Sequence, residues 1–334
     1  MSAYLAEPCP SSSRSALAEN NGELEQDADF WFADGSIILI AENTAFRVHQ
    51  GVLSRHSEVF RDLFTVPQPD GEQYAYGCPV VCLYDSPVDL RYLLRVLYDG
   101  LKHSVKHEPR LEFSEVEALV RLAHKHQLDG LRAEALERLK AVFTDNFTIY
   151  STRDELPLLL RPSDAISVVK LAHLTQELTL LPLALYQCAM LDATQLLEGV
   201  PLANGMIDNL SHEDLVRCIN GKAILAHKCA MAFSRVFALA SSECVSRSLC
   251  TSTLSAVQLR VLKMLSLRRH MHALICQCMC EELDKLRELG HLCEKCHQFM
   301  YVTHLEGRQQ VWMELPSDFG LGDWSQLRDA GVAM

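Results

Sequence analysis

The sequence lacks an apolar run long enough to cross a membrane as a helix, which takes about 18–20 residues. Its most apolar window, residues 178–191, is interrupted by Pro182 and Gln187. The chain also lacks a basic region followed by an apolar block at its start, so no secretory leader is predicted. These absences predict a protein of the cytoplasm or nucleus that has no membrane partner.

Positive charge is scarce in the chain. There are 31 lysines and arginines against 43 aspartates and glutamates, which gives a net charge of −12. The densest basic spot is Arg268-Arg269 beside His270. Non-specific affinity for nucleic acid comes from lysines and arginines that replace counterions. We therefore expect no nucleic-acid partner.

Signatures of common catalytic sites are also missing. The chain has no Gly-x-Ser-x-Gly elbow, no Gly-x4-Gly-Lys-Ser/Thr phosphate loop and no His-Glu-x-x-His pair. The fourteen histidines have no diagnostic spacing. We expect no enzyme, no catalytic residue and no organic cofactor. The alternative of another class is an enzyme with its active site in the helical half, which a pocket with convergent acid, base and nucleophile would favour.

The composition is that of a globular protein. With 334 residues, 49% hydrophobic and 22% charged, the chain can build two domains with ordinary cores. Residues 1–26 carry few large apolar side chains and are predicted to be a flexible acidic tail. Thirteen cysteines in a chain without a leader favour reduced thiols or metal ligands over disulfides.

The spacing of apolar residues changes within residues 29–64. Two runs rich in aromatic and β-branched side chains, with Phe30 and Phe32 in one and Ile38 and Ile40 in the other at intervals of two, flank Asp34-Gly35, which predicts a two-stranded hairpin. After Thr44 the apolar residues recur at intervals of three and four, which predicts two short helices. The positions concerned are Phe46, Val48, Val52, Leu53, Val59, Phe60, Leu63 and Phe64.

This stretch resembles the opening of a BTB/POZ domain. The matching positions are Asp29, Phe32, the FRVH segment ending in His49, Val52-Leu53, Ser57 and Phe60. The resemblance implies an α+β domain over residues 27–143, a small sheet flanked by helices, that acts by self-association or by docking partner proteins. In such a fold His49 is a hydrogen-bonded structural residue, and Asp29 is its expected polar neighbour.

Capping signals predict further helices in this domain. Ser86-Pro87 gives an N-cap followed by a proline at the first helical position, and Gly100 ends that helix. The capping box Ser114-x-x-Glu117 predicts the start of the next helix.

The rest of the chain is predicted to be mostly α-helical. Residues 145–237 contain no convincing strand, and we expect a helical domain over 144–290 followed by a C-terminal segment over 291–334. Residues 165–190 resemble the helical region that follows the BTB/POZ domain in a large group of basidiomycete fungal proteins.

Two cysteine pairs predict a metal site. Cys244-x5-Cys250 and Cys293-x2-Cys296 supply the four thiolates that a tetrahedral structural zinc takes. Similar pairs, followed by a Trp-x-x-Leu-Pro segment, recur in the fungal group, and here that segment is residues 312–316. The sulfurs should converge within about 4 Å of one another. The alternative is that these cysteines are reduced and packed as small hydrophobes.

Other residues compete for this role. Of Cys276, Cys278 and Cys280 only the first and last share a helical face, so the three are expected to be core residues. His291 or His297 could replace a distant ligand. Three glycines are expected to weaken any helix in the C-terminal segment, namely Gly307, Gly320 and Gly322.

The resemblance leaves the partner open. BTB proteins include homo-oligomers, substrate adaptors of cullin-type ubiquitin ligases and transcription-associated regulators. No cullin-docking residues can be matched in this chain, and it carries no added DNA-binding zinc finger, kelch or ankyrin array. The leading expectation is a non-enzymatic interaction module that forms homo-oligomers, with the adaptor and the regulator as alternatives.

Overall fold

The structure is a computed structural model of the chain. It describes residues 24–65, 74–100, 111–152, 156–202, 207–267 and 277–332. These residues form two compact units, one within Met1–Val142 and Glu155–Leu160, the other within Phe143–Asp154 and Arg161–Met334. The predicted tail over 1–26 falls outside the described residues except for its last three. No helix in the described ranges is long and apolar enough to cross a membrane.

The first unit contains a five-stranded sheet. Its strands are β1 (Glu25–Trp31), β2 (Ile37–Ala41), β3 (Thr44–Val48), β4 (Tyr74–Ala75) and β5 (Cys78–Leu83). They lie in the order β1-β3-β2-β5-β4, where β2 runs antiparallel to β3 and parallel to β5. β1 pairs with β3 in parallel, and β1 and β4 form the two edges of the sheet.

The predicted hairpin across Asp34-Gly35 is wrong. β1 and β2 do not pair with each other, and the tight turn lies instead at Glu42-Asn43, where Glu42 has a positive φ of 50°. Gly35 is needed for another reason. A Cβ at this position would lie 2.8 Å from Cγ and 3.0 Å from the carbonyl oxygen of Arg47, so only glycine allows the chain to approach β3 this closely.

The helix predicted to include Phe46 and Val48 begins later. Both residues lie on β3, and both are fully buried because alternate residues of a strand face the same side. Phe46 and Val48 are two residues apart, which is the spacing of side chains on one face of a strand. The first helix therefore begins only at Gln50.

Five helices accompany the sheet within the described residues of the first unit. They are α1 (Gln50–His56), α2 (Glu58–Thr65), α3 (Pro87–Asp99), α4 (Phe113–Lys125) and α5 (Asp129–Val142). The bounds predicted for α3 are confirmed, since Ser86 Oγ accepts a hydrogen bond of 3.1 Å from the Asp89 N–H and Gly100 follows with φ of 80°. The start predicted at Ser114 is wrong. The helix α4 begins at Phe113 and its N-cap is Glu112, the last residue of the short strand β6 (Leu111–Glu112).

The helices cover one face of the sheet. Leu39, Phe46 and Val48 pack there with Leu53 and Leu93 from the helices, all with 0% exposure. Burying each such side chain contributes about 1.5–3 kcal/mol. The opposite face carries a second apolar cluster with Ile38, Ile40, Ala45 and Cys78 buried at its centre. A further parallel pair joins β6 to β7 (Leu158–Leu159).

The second unit is mostly helical, as predicted. Its helices are α6 (Phe147–Thr152), α7 (Ala165–Thr175), α8 (Leu181–Ala189), α9 (Ala193–Glu198), α10 (His212–Val236), α11 (Arg247–Leu267), α12 (Gln277–Glu288), α13 (Glu294–Asp318) and α14 (Trp324–Val332). Two 3-10 turns, Pro162–Asp164 and Leu178–Leu180, precede α7 and α8. A short antiparallel pair, β8 (Val200–Pro201) and β9 (Ile207–Asp208), precedes α10.

A long helix forms in the C-terminal segment despite the glycines that were expected to weaken it. α13 runs for 25 residues through Gly307, and the Trp-x-x-Leu-Pro segment forms its last turns. A Cβ on Gly307 would lie 3.7 Å from that of Ala232, so α10 and α13 approach closely at this point. Gly320 and Gly322 follow the helix, where their φ angles of 68° and 86° favour glycine.

Buried carboxylates connect the helices of this unit. Asp208, at the end of β9, accepts hydrogen bonds from Ser167 and Lys170 of α7. Asp214, in the first turn of α10, accepts from Arg217 and lies 3.1 Å from Nε2 of His173. Both carboxylates are nearly inaccessible to solvent, so these partners are needed to offset their desolvation.

Candidate metal centre

Four sulfur atoms converge in the second unit. Sγ atoms of Cys244, Cys250, Cys293 and Cys296 all lie within 4.8 Å of one another, slightly wider than the predicted 4 Å. The Sγ atoms of Cys244 and Cys293 are 3.8 Å apart, and the backbone N of Cys293 lies 3.4 Å from Sγ of Cys250. The two cysteine pairs, distant in sequence, are therefore one cluster.

Each pair contributes one thiol from a loop and one from a helix. Cys244 lies in the irregular segment between α10 and α11, and Cys250 lies in the first turn of α11. Cys293 is the N-cap of α13, and Cys296 lies in its first turn. Backbone N–H groups in a first helical turn have no partner within the helix. Helix N-termini also favour negative charge, which suits thiolates.

The cluster is embedded in apolar side chains. Cys250 and Cys296 have 0% exposure, whereas Cys244 and Cys293 are half-buried. The surrounding core includes Val236, Phe237, Leu254, Leu283, Leu292 and Met300. Such surroundings exclude water from two of the four sulfurs and leave the other two within its reach.

The pKa values of the thiols are shifted in opposite directions. Burial raises the pKa of Cys293, but backbone N–H groups of Cys296 and Val245 and the neighbouring thiols of Cys250 and Cys296 lower it more, to about 6. Burial raises the pKa of Cys250, and burial together with the thiol of Cys244 raises that of Cys296 well above its usual range. A divalent cation would provide the positive charge that four thiolates require.

The rival ligands lie elsewhere. His297 Nε2 is 2.9 Å from Oδ1 of Asp284 on α12, and His291 is exposed. Among the described residues, the donor group around the cluster consists of the four cysteines alone. Cys280 is half-buried on α12. Cys276 and the side chain of Cys278 lie outside the described part of the chain.

The redox state of the cysteines differs between sites. All four cysteines of the cluster are free thiols in this structure. Cys82 on β5 is disulfide-bonded, so the expectation of reduced cysteines is wrong for this residue.

An ion pair at the protein surface joins the same two segments as the cluster. Nζ of Lys295 on α13 lies 2.6 Å from Oε2 of Glu243, the residue before Cys244. Both side chains are more than half exposed, so solvent screens their attraction and the pair contributes little to stability. The ion pair and the cysteine cluster therefore lie across the same contact between the loop and α13.

The polar neighbours of His49 differ from the expectation. Its backbone N and its Nδ1 each lie 2.9 Å from Oη of Tyr98, and its Nε2 lies 3.3 Å from Oδ1 of Asp34. Asp29 is exposed and lies 3.7 Å from Arg95 instead. His49 is thus hydrogen-bonded, as predicted, but not to Asp29.

The buried carboxylate of this region is Asp27, which the sequence analysis missed. It accepts hydrogen bonds from the N–H groups of Asp29 and Phe30 and from Nε of Arg91. An aspartate that accepts from N–H groups two and three residues ahead is a recurrent local motif, and this could have indicated it. The cavity beside it, of about 240 Å³, is lined by Glu25, Gln26, Asp27, Ala28, Asp29, Thr44 and Arg91. Its titratable lining consists of three carboxylates and one arginine, and it contains no histidine or cysteine.

Comparison with known families identifies the first unit. Residues 33–141 match the BTB/POZ domain, a family of protein–protein interaction modules. The match covers β2 to β5 and the five helices α1 to α5. The chain is therefore a BTB/POZ domain, with its small sheet and helices, followed by a mostly helical region. No curated protein matches the chain.

Proposed function

We propose that the protein acts without catalysis, as an interaction module whose BTB/POZ domain associates with a second copy of the chain or with a partner protein. The observation that carries this proposal is the match of residues 33–141 to a family of interaction modules. Function resides in particular surfaces rather than in a fold, so the surface of the first unit supplies the second argument.

Exposed aromatic rings support an association surface. Tyr76 and Tyr84 flank β5 and are 66% and 64% exposed, and Val88 at the start of α3 is 50% exposed. The Tyr76 ring is held in place, since it meets Trp31 edge-on at 5.2 Å and its Oη accepts a hydrogen bond from Gln26. Tyrosine is enriched in protein interfaces because it buries a large apolar ring and keeps a hydroxyl for hydrogen bonding.

Light scattering of the full chain over a range of concentrations tests association. We expect a mass above that of the 37.6 kDa chain, which falls on dilution. The double variant Tyr76→Ser/Tyr84→Ser should weaken association. The matched control is Leu239→Ser in the second unit, where Leu239 is 72% exposed, and it should leave association unchanged. A monomer at every concentration that also captures no partner protein would contradict the proposal.

We also propose that Cys244, Cys250, Cys293 and Cys296 bind one structural zinc ion. Zinc–sulfur bonds of about 2.3 Å in a tetrahedron place the sulfurs about 3.8 Å apart, which is the separation of the Cys244 and Cys293 sulfurs. Four protein thiolates leave no ligand position for water, so the ion would have a structural role and no hydrolytic one. Its effect would be to join the loop before α11 to the start of α13.

Elemental analysis of protein purified under reducing conditions tests the zinc site. We expect one zinc per chain, and Co²⁺ in its place should give the absorption spectrum of tetrahedral thiolate coordination. Cys250→Ser and Cys296→Ser should each lower the zinc content. Cys280→Ser, a half-buried cysteine outside the cluster, is the control and should retain it. If the wild-type chain contains no zinc, the four cysteines are packing residues.

A further inference from the structure

The four thiols of the proposed zinc site fall into two classes. Cys244 and Cys293 are half-buried, whereas Cys250 and Cys296 have 0% exposure. The backbone follows the same division, because the first two stand in irregular segments and the last two within helices. A reagent from solvent therefore reaches Cys244 and Cys293 first.

These two thiols are also placed for bond formation. Their sulfurs are 3.8 Å apart, and a disulfide requires about 2.05 Å, so they must approach by less than about 2 Å. Loop backbone on both sides of Cys244, and the N-cap position of Cys293, can supply that movement. A bond to Cys250 or Cys296 would instead displace a buried sulfur from a helix that is packed in the core.

We propose that a hydroperoxide converts this zinc site into a Cys244–Cys293 disulfide with release of the ion, an inference that rests on the zinc site proposed above. The bond would connect the same two segments that the zinc joins, the loop before α11 and the start of α13. The site would thus exchange a metal link for a covalent one, and the two segments would remain connected in both states.

The chemistry balances with hydrogen peroxide as the oxidant. One thiolate attacks a peroxide oxygen, the O–O bond breaks, and a sulfenic acid and hydroxide form. The second thiolate attacks the sulfenic sulfur, so that the S–S bond forms and the S–O bond breaks with loss of a second hydroxide. In sum, two thiolates, one hydrogen peroxide and two protons give one disulfide and two waters. The sulfurs lose two electrons and the peroxide gains them.

The loss of zinc follows from the ligand count. After oxidation only Cys250 and Cys296 remain as thiolate ligands, which is half of the set that a structural zinc requires. A chelator in solution can then remove the ion. Reduction by a dithiol restores all four ligands, so the conversion should be reversible when zinc is added back.

The test uses the full chain after its zinc content has been measured. Hydrogen peroxide is added together with a chromogenic zinc chelator, and peptides are then mapped by mass spectrometry without reduction. We expect release of the zinc and a crosslinked peptide pair that contains Cys244 and Cys293. Dithiothreitol with added zinc should reverse both changes. Cys280→Ser removes the half-buried thiol of α12 and should release zinc at the wild-type rate.

The outcomes separate the two proposals. A chain without zinc before peroxide is added overturns the zinc site and this inference with it. A chain that holds zinc and retains it through peroxide treatment overturns the inference alone. Zinc release with a crosslink that maps to Cys250 or Cys296 also overturns it, because the proposed difference in access would then be wrong.

Discussion

Gly221 offers a direct test of how tightly the second unit is packed. It lies in the middle of α10, where a Cβ would be 2.3 Å from Cε1 and 2.6 Å from Cδ1 of Phe319. The Phe319 ring is 1% exposed, so it has little room to move away. Gly221→Ala gains about 0.5–1 kcal/mol of helix preference, but overpacking of a full core costs about 1–3 kcal/mol. We expect the free energy of unfolding to fall by about 1–2 kcal/mol.

The matched control is Gly307→Ala in α13. There the nearest side-chain atom to a new Cβ, the Cβ of Ala232, lies at 3.7 Å, an ordinary contact. The same substitution should therefore stabilise the unit by about 0.5–1 kcal/mol. Urea unfolding followed by tryptophan fluorescence measures both effects. A Trp31→Phe background leaves Trp312 and Trp324, which stack in the second unit at 5.3 Å. A Gly221→Ala chain as stable as its parent would refute the reasoning.

Two further predictions concern buried carboxylates. Burial raises the pKa of Asp85, but interactions with His126 and Lys125 lower it more, so the folded pKa lies below the ordinary 3.8. The native state therefore favours the charged carboxylate more than the unfolded state does. Urea unfolding on both sides of pH 3.8 should show the free energy of unfolding falling as the pH drops, and this fall should be less steep in Asp85→Asn. Asp208→Asn removes the charged partner of Lys170 and should lower the free energy of unfolding by about 1.5–3 kcal/mol, seen as a lower thermal midpoint. An unchanged midpoint would show that this contact does not stabilise the fold.

Features set by neighbouring residues could be predicted from the sequence. The N-cap at Ser86 and the end at Gly100 depend on local hydrogen bonds and on local φ, and both were found as predicted. The Cys-x2-Cys step likewise needs only the first turn of a helix, which brings Cys293 and Cys296 together. Such signals act within a few residues and do not depend on the rest of the fold.

Features that depend on distant partners could not be predicted in this way. Asp34-Gly35 is a strong turn signal, yet β1 gains more by pairing with β3, which lies beyond β2 in sequence. Gly307 lowers helix preference by about 1 kcal/mol, but the buried Trp312 and Leu315 on the same helix outweigh it. In both cases the deciding contacts come from residues far along the chain.

The pairing of β6 with β7 affects when the first unit can complete its fold during synthesis on the ribosome. The chain leaves this unit after Val142, passes through Phe143–Asp154 in the second, and returns to contribute Leu158–Leu159. Three helices, α4 to α6, emerge between the two strands during synthesis. A polypeptide stopped at the apparent domain end would leave β6 with an unpaired edge, which invites pairing with other chains. Expression of the BTB/POZ domain by itself should therefore extend through residue 160.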